Sequence, residues 1–215
     1  MDEAERERFA AFLLRMRGAG LDRRDLMAAV EATPRASFVP PQWRADAWSD
    51  RSLPIECGET IEGIDLQMRA ISMLSLEPGS RVLEIGTGSG FTSAVMARLS
   101  ARVLSLDRFR TLCEAARTRH ETLGLSNILI RQADGSQGAP AEGPFDRIIA
   151  WASYESLPRS FVDQLASGGI MIAPIGPGDG VQVMEKLTKL GSRFEREVVG
   201  NVRFQPMAAG VAAAI

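Results

Sequence analysis

The run Arg81-Val-Leu-Glu-Ile-Gly-Thr-Gly-Ser-Gly-Phe91 sets an acidic residue on an apolar stretch and ends that stretch in glycines. Such an arrangement can hold a nucleotide. Gly86, Gly88 and Gly90 have no Cβ, so a ligand can lie directly against their main chain. Phe91-Thr-Ser-Ala-Val-Met-Ala-Arg-Leu99 has the apolar spacing of a helix whose free first-turn N–H groups would face that ligand. G-x-G-x-G alone is a common pattern, and its context narrows it. Asp107 closes the next apolar run, where a carboxylate can accept both hydroxyls of a ribose, as in a Rossmann-type unit.

The spacing also bears on which cofactor. Dinucleotide loops follow G-x-G-x-x-G, which opens the helix start to a pyrophosphate. Here the third glycine comes sooner, and Glu84 stands just ahead of the loop. A carboxylate there repels a pyrophosphate but suits the ammonium group of an amino acid, which favours S-adenosylmethionine over NAD.

The elements that must position these groups alternate along the chain. Residues 3–17 carry Phe9, Phe12, Leu13 and Met16 at helical spacing, and Gly18-Ala-Gly20 stops that helix. Asp22 is placed to cap a second helix that ends before Thr33-Pro34. A proline-punctuated stretch from Pro34 to Ile64 reads as irregular, and long irregular segments in compact domains are usually functional. A helix over 66–76 is expected next. Beyond it, strands are predicted at 81–85, 102–106, 127–131, 146–151 and 169–175, with helices near 91–100, 109–123 and 158–166.

That alternation argues an α/β fold, a Rossmann-like, doubly wound and mostly parallel sheet. Segments 181–188 and 194–204 read as a C-terminal antiparallel hairpin, and the Ala/Gly-rich tail 208–215 as loosely ordered. Gly86, Asp107, Asp134 and Trp151 all fall at strand carboxyl ends, so they should converge on one crevice. The 215 residues are expected to form one domain, with 1–65 as a helical, substrate-side segment and 66–215 as the cofactor-binding core.

Composition excludes some partners. A formal net charge of −2 offers no broad basic surface for nucleic acid. No apolar run approaches the roughly 18 residues of a membrane span, so a cytoplasmic protein is expected. Cys57 and Cys113 lack metal-ligand spacing and read as free thiols. The single histidine, His120, sits in a polar helical stretch and reads as a surface residue, not as a catalytic partner for a thiol.

Several segments together resemble the protein-L-isoaspartate O-methyltransferases. They are Pro34-Arg-Ala-Ser-Phe-Val-Pro40, Ala47-Trp-Ser-Asp-Arg-Ser-Leu-Pro-Ile55, Gly58-Glu-Thr-Ile61, the glycine loop, Ala133-Asp-Gly-Ser-Gln-Gly138, Pro144-Phe-Asp-Arg-Ile-Ile149, Leu165-Ala-Ser-Gly-Gly-Ile170 and Val202-Arg-Phe-Gln-Pro206. The resemblance implies S-adenosylmethionine as cofactor and the carboxylate of isoaspartyl residues in damaged proteins as acceptor. It places Glu84, Gly86, Thr87, Gly88, Ser89 and Gly90 along the methionine and ribose portion, Asp107 and Arg108 at the ribose, and Asp134 with Gly135 beside the adenine.

Two departures bear on the acceptor. Where the family has a serine after Gly-Gln-Thr-Ile, this chain has Glu62, with Thr60 the nearest hydroxyl placed to touch substrate or cofactor. An ionised Glu62 would repel an acceptor carboxylate but could bind a cation or act as base toward a hydroxyl or amine. Ala150-Trp-Ala-Ser-Tyr-Glu-Ser-Leu-Pro158 brings Trp151, Tyr154 and Glu155 where the family has small residues and prolines. A methyltransferase with another acceptor, and a cofactor-binding protein without turnover, are the competing readings.

Overall fold

The structure is a computed structural model that describes residues 3–213. Helix α1 (Glu3–Gly18) buries Phe9, Phe12 and Met16 and leaves Leu14 exposed. Gly20 at φ 76° ends it, and the Leu21 N–H returns to the Met16 carbonyl at 2.8 Å. Helix α2 (Arg24–Glu31) follows, but Asp22 does not cap it. Arg23 holds that position without a side-chain capping bond, and Asp25 supplies the acidic group of the first turn.

The proline-rich stretch folds as tight turns at Arg35–Phe38, Pro41–Asp46 and Glu56–Gly58, and as an antiparallel ribbon of β1 (Leu53–Pro54) and β2 (Thr60–Ile61). Trp48 anchors it, buried against Phe9 and Phe12 with ring centroids 4.9 and 5.9 Å away. Helix α3 (Ile64–Met73) begins earlier than its apolar pattern suggests. Its first turn carries Asp65, which takes a two-pronged bond from Arg15 of α1 at 2.8 and 2.9 Å.

The remaining elements are β3 (Arg81–Ile85), α4 (Phe91–Ala97), β4 (Arg102–Asp107), α5 (Arg110–Thr122), β5 (Ile128–Gln132), β6 (Phe145–Ala150), α6 (Ser160–Gln164), β7 (Leu165–Ile175), β8 (Gln182–Leu190) and β9 (Arg193–Val202). Seven strands form one sheet in the order β5-β4-β3-β6-β7-β8-β9. The first five strands of that order run parallel, and β8 and β9 turn back antiparallel. After its first residue β3 is buried throughout, as a strand covered on both faces requires. Helix α6 is shorter than expected because Leu165 already pairs with Phe145.

The chain runs outward from β3 to β4 and β5, then returns to place β6 on the other side of β3. At that reversal the connections leave in opposite directions, so a crevice opens beyond the carboxyl ends of β3 and β6. Among the described residues, no helix is long and apolar enough to cross a membrane.

Candidate active site

The glycine loop bends over the end of β4. The N–H groups of Gly86 and Thr87 both donate to the Leu106 carbonyl, at 2.8 and 3.2 Å. Gly88 has φ 51° and donates its N–H to Asp107 Oδ2 at 2.9 Å. Gly90 is needed for packing as well as for its φ of 85°: a Cβ there would lie 2.8 Å from Ala116 Cβ and 2.9 Å from His120 Nε2. His120 is therefore not a surface residue. It is 3% exposed, and its Nε2–H donates to the Gly90 carbonyl at 2.8 Å. Burial holds its pKa below the usual histidine value, so the ring packs α5 onto the loop as a neutral imidazole.

A cleft of about 140 Å³ lies beyond the loop. Gly86, Gly88, Asp107, Arg108, Gly135 and Trp151 are among the residues around it. Asp107 accepts N–H groups from Gly88 and Phe109, each at 2.9 Å, which fixes its carboxylate at the rim. Burial raises its pKa against the lowering effect of those bonds. Gly135 must be glycine, since a Cβ would meet Ile85 Cγ2 at 2.6 Å. Asp134 is exposed and both its oxygens are engaged, one by the Ser136 N–H and one by the Gly210 N–H, each at 2.8 Å.

Glu84 does not line this cleft. It is fully buried behind the loop, where Thr92 Oγ1, Ser105 Oγ and Trp151 Nε1 donate to it at 2.5, 2.6 and 3.0 Å. Thr87 Oγ1 extends the network to Ser105 Oγ at 2.6 Å. Burial pushes the Glu84 carboxyl up to about 7, even though the hydroxyl and indole donors around it favour its charged form. The alternation along β3 turns this side chain toward α4, a direction the loop motif alone does not reveal.

A smaller chamber adjoins the cleft. It is bounded by Thr60, Ile61, Glu62 and Gln67 on one side and by Gly86, Thr87, Gly88, Ser89, Thr92 and Trp151 on the other. Thr60, Gly86, Gly88 and Trp151 belong to both spaces. Glu62 is half-buried and accepts a bond from Ser52 Oγ at 2.9 Å. Its pKa is raised by burial, which outweighs the Ser52 bond and the Arg35 charge. Gly63 pins its position, since a Cβ there would sit 2.6 Å from the Asp50 carbonyl carbon.

The organiser of this wall is Arg35, which motif reasoning passed over. Its guanidinium is fully buried and donates to the carbonyls of Ala47 and Glu62, each at 2.7 Å, and to Gln67 Oε1. It stacks over the Phe91 ring with 4.5 Å to the centroid. Desolvation lowers its pKa to about 9. An arginine between two prolines was its only sequence signal. Two further features escaped that reasoning: the Trp151–Glu84 bond, and residues 205–208, which line the cleft from the chain's far end. Tyr154 is buried with its hydroxyl donating to the Gly135 carbonyl at 3.3 Å, while Glu155 is exposed and borders a different pocket.

These groups fit an adenosyl cofactor. The glycines leave bare main chain at the cleft wall, and Asp107 presents a carboxylate to it. Arg108 Nε at the cleft and Ser89 Oγ at the chamber are buried donors without partners.

Comparison with known proteins agrees. The family model described as protein-L-isoaspartate(D-aspartate) O-methyltransferase matches residues 8–212. A Rhizobium meliloti protein-L-isoaspartate O-methyltransferase is 46% identical over 199 residues, covering 93% of this chain and 98% of the relative. One from Azorhizobium caulinodans is 43% identical over 211 residues, covering 98% and 97%. Among solved structures, a Plasmodium falciparum protein described as a protein-L-isoaspartate O-methyltransferase, in complex with S-adenosyl-L-homocysteine, superposes with a TM-score of 0.80. It is 24% identical and covers 92% of this chain and 97% of its own, so it supports the fold. The glycine loop, the carboxylate at the cleft rim and a kinship running through nearly the whole chain place this protein in the protein-L-isoaspartate O-methyltransferase family, as an S-adenosylmethionine-dependent methyltransferase.

Proposed function

We propose that the chain esterifies the free carboxylate of isoaspartyl residues in damaged proteins, with cofactor in the cleft and acceptor in the adjoining chamber. The carrying observation is that the two spaces share a wall, made of Thr60, Gly86, Gly88 and Trp151. Donor and acceptor would therefore lie side by side. The names of the curated relatives support the acceptor class.

When bound, the cofactor supplies a methyl group on a sulfonium sulfur. Gly86, Gly88 and Asp107 would hold that cofactor in the cleft, where it would supply the methyl for esterification of the acceptor carboxylate. A carboxylate is already ionised at neutral pH, so no base is required. The chain contributes alignment and exclusion of water.

In this reading Asp107 takes the ribose hydroxyls, Arg108 and Gly135 wall the nucleoside, and Gly86 and Gly88 carry the methionine portion, while Thr87 and Ser89 face the chamber alone and Gly90 lines neither space. Glu84 acts from behind, holding Trp151 and α4 in place. Thr60 donates its hydroxyl to the acceptor. Glu62 serves in its protonated form, with Ser52 bonded to one oxygen and the acid proton on the other facing the acceptor. Its burial shifts the pKa in the direction this requires.

Residues before Ile64 supply the acceptor side and the sheet supplies the cofactor side, as parts of one working unit. The two free thiols, Cys57 and Cys113, fit a cytoplasmic setting. The test is methyl transfer to matched isoaspartyl and aspartyl peptides. Ester on the isoaspartyl peptide alone is expected; equal or absent transfer to both would reject the proposal.

A further inference from the structure

Of the four residues common to cleft and chamber, Gly86 and Gly88 present only main chain and Thr60 a short side chain. Trp151 is the one large side chain on that partition. Its main chain continues β6, with its N–H donating to the Ile85 carbonyl at 2.8 Å. Its Cβ stands so near the loop that a Cβ on Gly86 would lie 3.2 Å from it. At the other end of the side chain, Nε1–H donates to Glu84 Oε1 at 3.0 Å, the oxygen that also accepts Thr92 Oγ1–H at 2.5 Å. The buried Phe204 ring lies alongside, with 6.3 Å between centroids and the planes 30° apart. Both ends of the indole are therefore fixed, while the residue stays half-buried and lines both spaces.

An aromatic face carries a negative quadrupole and attracts a cation within about 6 Å of its centroid, most strongly when the ring is an indole. S-adenosylmethionine has a sulfonium, and S-adenosylhomocysteine, which lacks the methyl, has a neutral thioether. With the donor in the cleft and the acceptor in the chamber, the methyl passes the partition, and Trp151 is the only aromatic residue there. We propose that Trp151 recognises the charge of the methyl donor: its ring attracts the sulfonium, so the chain holds the charged donor more tightly than the neutral product. The contact that retains the donor is lost with the charge, which favours release of the product. The proposal rests on the cofactor lying in this cleft, beside the chamber, and it is independent of which acceptor is methylated.

Carboxylates also attract cations, so the test must separate the ring from them. Glu59 and Asp107 line the cleft, Glu62 lines the chamber, and Glu84 lies behind the indole. The measurement is the calorimetric dissociation constant of S-adenosylmethionine and of S-adenosylhomocysteine, with no acceptor present. The proteins are the wild type, Trp151→Phe, Trp151→Leu, Trp151→Met, Glu84→Gln and Asp107→Asn, and thermal unfolding confirms that each is folded. All three Trp151 variants forfeit the bond to Glu84, but only phenylalanine keeps an aromatic face. Their differences therefore report the ring and not the lost N–H.

The quantity read is the preference for the charged ligand, the product's dissociation constant divided by the donor's. It should fall about fivefold from the wild type to Trp151→Leu, and equally in Trp151→Met, the second ring-free variant should leucine not fold. Trp151→Phe and Glu84→Gln, which keep a ring, should stay within about twofold of the wild type. The same preference in Trp151→Phe and the ring-free variants would make the indole an inert wall and overturn the proposal. A fall in Glu84→Gln as large as in Trp151→Leu would overturn it too, because the carboxylate would then carry the preference. Asp107→Asn reports on the site itself. If it weakens both ligands while the Trp151 variants leave the preference unchanged, the ring fails and the cleft stands. If Asp107→Asn and Trp151→Leu bind both ligands as the wild type does, the cleft is not the cofactor site and the proposal falls with it. No methyl transfer enters these readouts, so failure of the isoaspartyl reading would leave them unaffected.

Discussion

Replacing Glu84 by glutamine tests the reading of that residue as a buried strut. The substitution is nearly isosteric, and every bond can be kept. The amide oxygen can accept from Thr92 and Trp151 as Oε1 does now, and the amide nitrogen can donate to Ser105 Oγ, whose proton then turns to Thr87 Oγ1. What changes is the charge. In the folded chain Glu84 titrates at about 7, against an ordinary value of 4.5. A raised carboxyl pKa means that the folded state holds the proton more tightly than the unfolded one. Its stabilising share is complete below pH 4.5 and is lost as pH rises to 7. At about 1.4 kcal/mol for each unit, the loss is on the order of 3 kcal/mol.

The assay is urea unfolding of the cofactor-free wild type and Glu84→Gln at intervals from pH 4.5 to 8. Asp107, Glu62 and His120 also titrate with shifted pKa values, but they do so in both proteins, so the difference isolates Glu84. The variant should gain on the wild type by about 3 kcal/mol between pH 4.5 and 7, then keep that lead. Parallel curves would refute the buried-strut account. A folded variant that no longer binds S-adenosylhomocysteine would instead show that the charge itself reaches the ligand.

Arg35→Met strands the carbonyls of Ala47 and Glu62 and the amide oxygen of Gln67 inside the core. It should cost about 3–5 kcal/mol, read as a lower urea midpoint, and should weaken acceptor binding more than cofactor binding. For Glu62→Ser, the pH profile of kcat/KM on an isoaspartyl peptide is the discriminating measurement. Wild-type activity should fall as pH rises through the elevated Glu62 pKa, and the serine variant should lack that limb.

Much of the candidate cleft was legible because the residues that line it from the loop side are local. Glycines at fixed intervals, the apolar strand before them and the acid closing the next strand are neighbours along the chain, and strand-end placement follows from the alternation of elements. The same locality misled at His120. Its helix is mostly polar, yet the ring faces Gly90, whose missing side chain makes room for it. Glu84 shows the complementary limit. Its presence on β3 was plain, but the side to which it points depends on Thr92, Ser105 and Trp151 arriving from three other elements.

By itself the sequence determined the order of elements, the doubly wound sheet, the glycine loop with Asp107, and the departure at Glu62. Each is written in short-range periodicity, backbone permissiveness or residue type. Only the tertiary structure decided that Arg35 organises the chamber wall, that Glu84 lies behind the loop, and that the tail expected to be loose at 208–213 is tied across the cleft. Residues 214–215 of that expectation lie outside the described residues. Buried charges and main-chain straps take their partners from distant parts of the chain. No local pattern encodes them, because the cost of leaving a polar group unpaired is met wherever the fold happens to bring a partner.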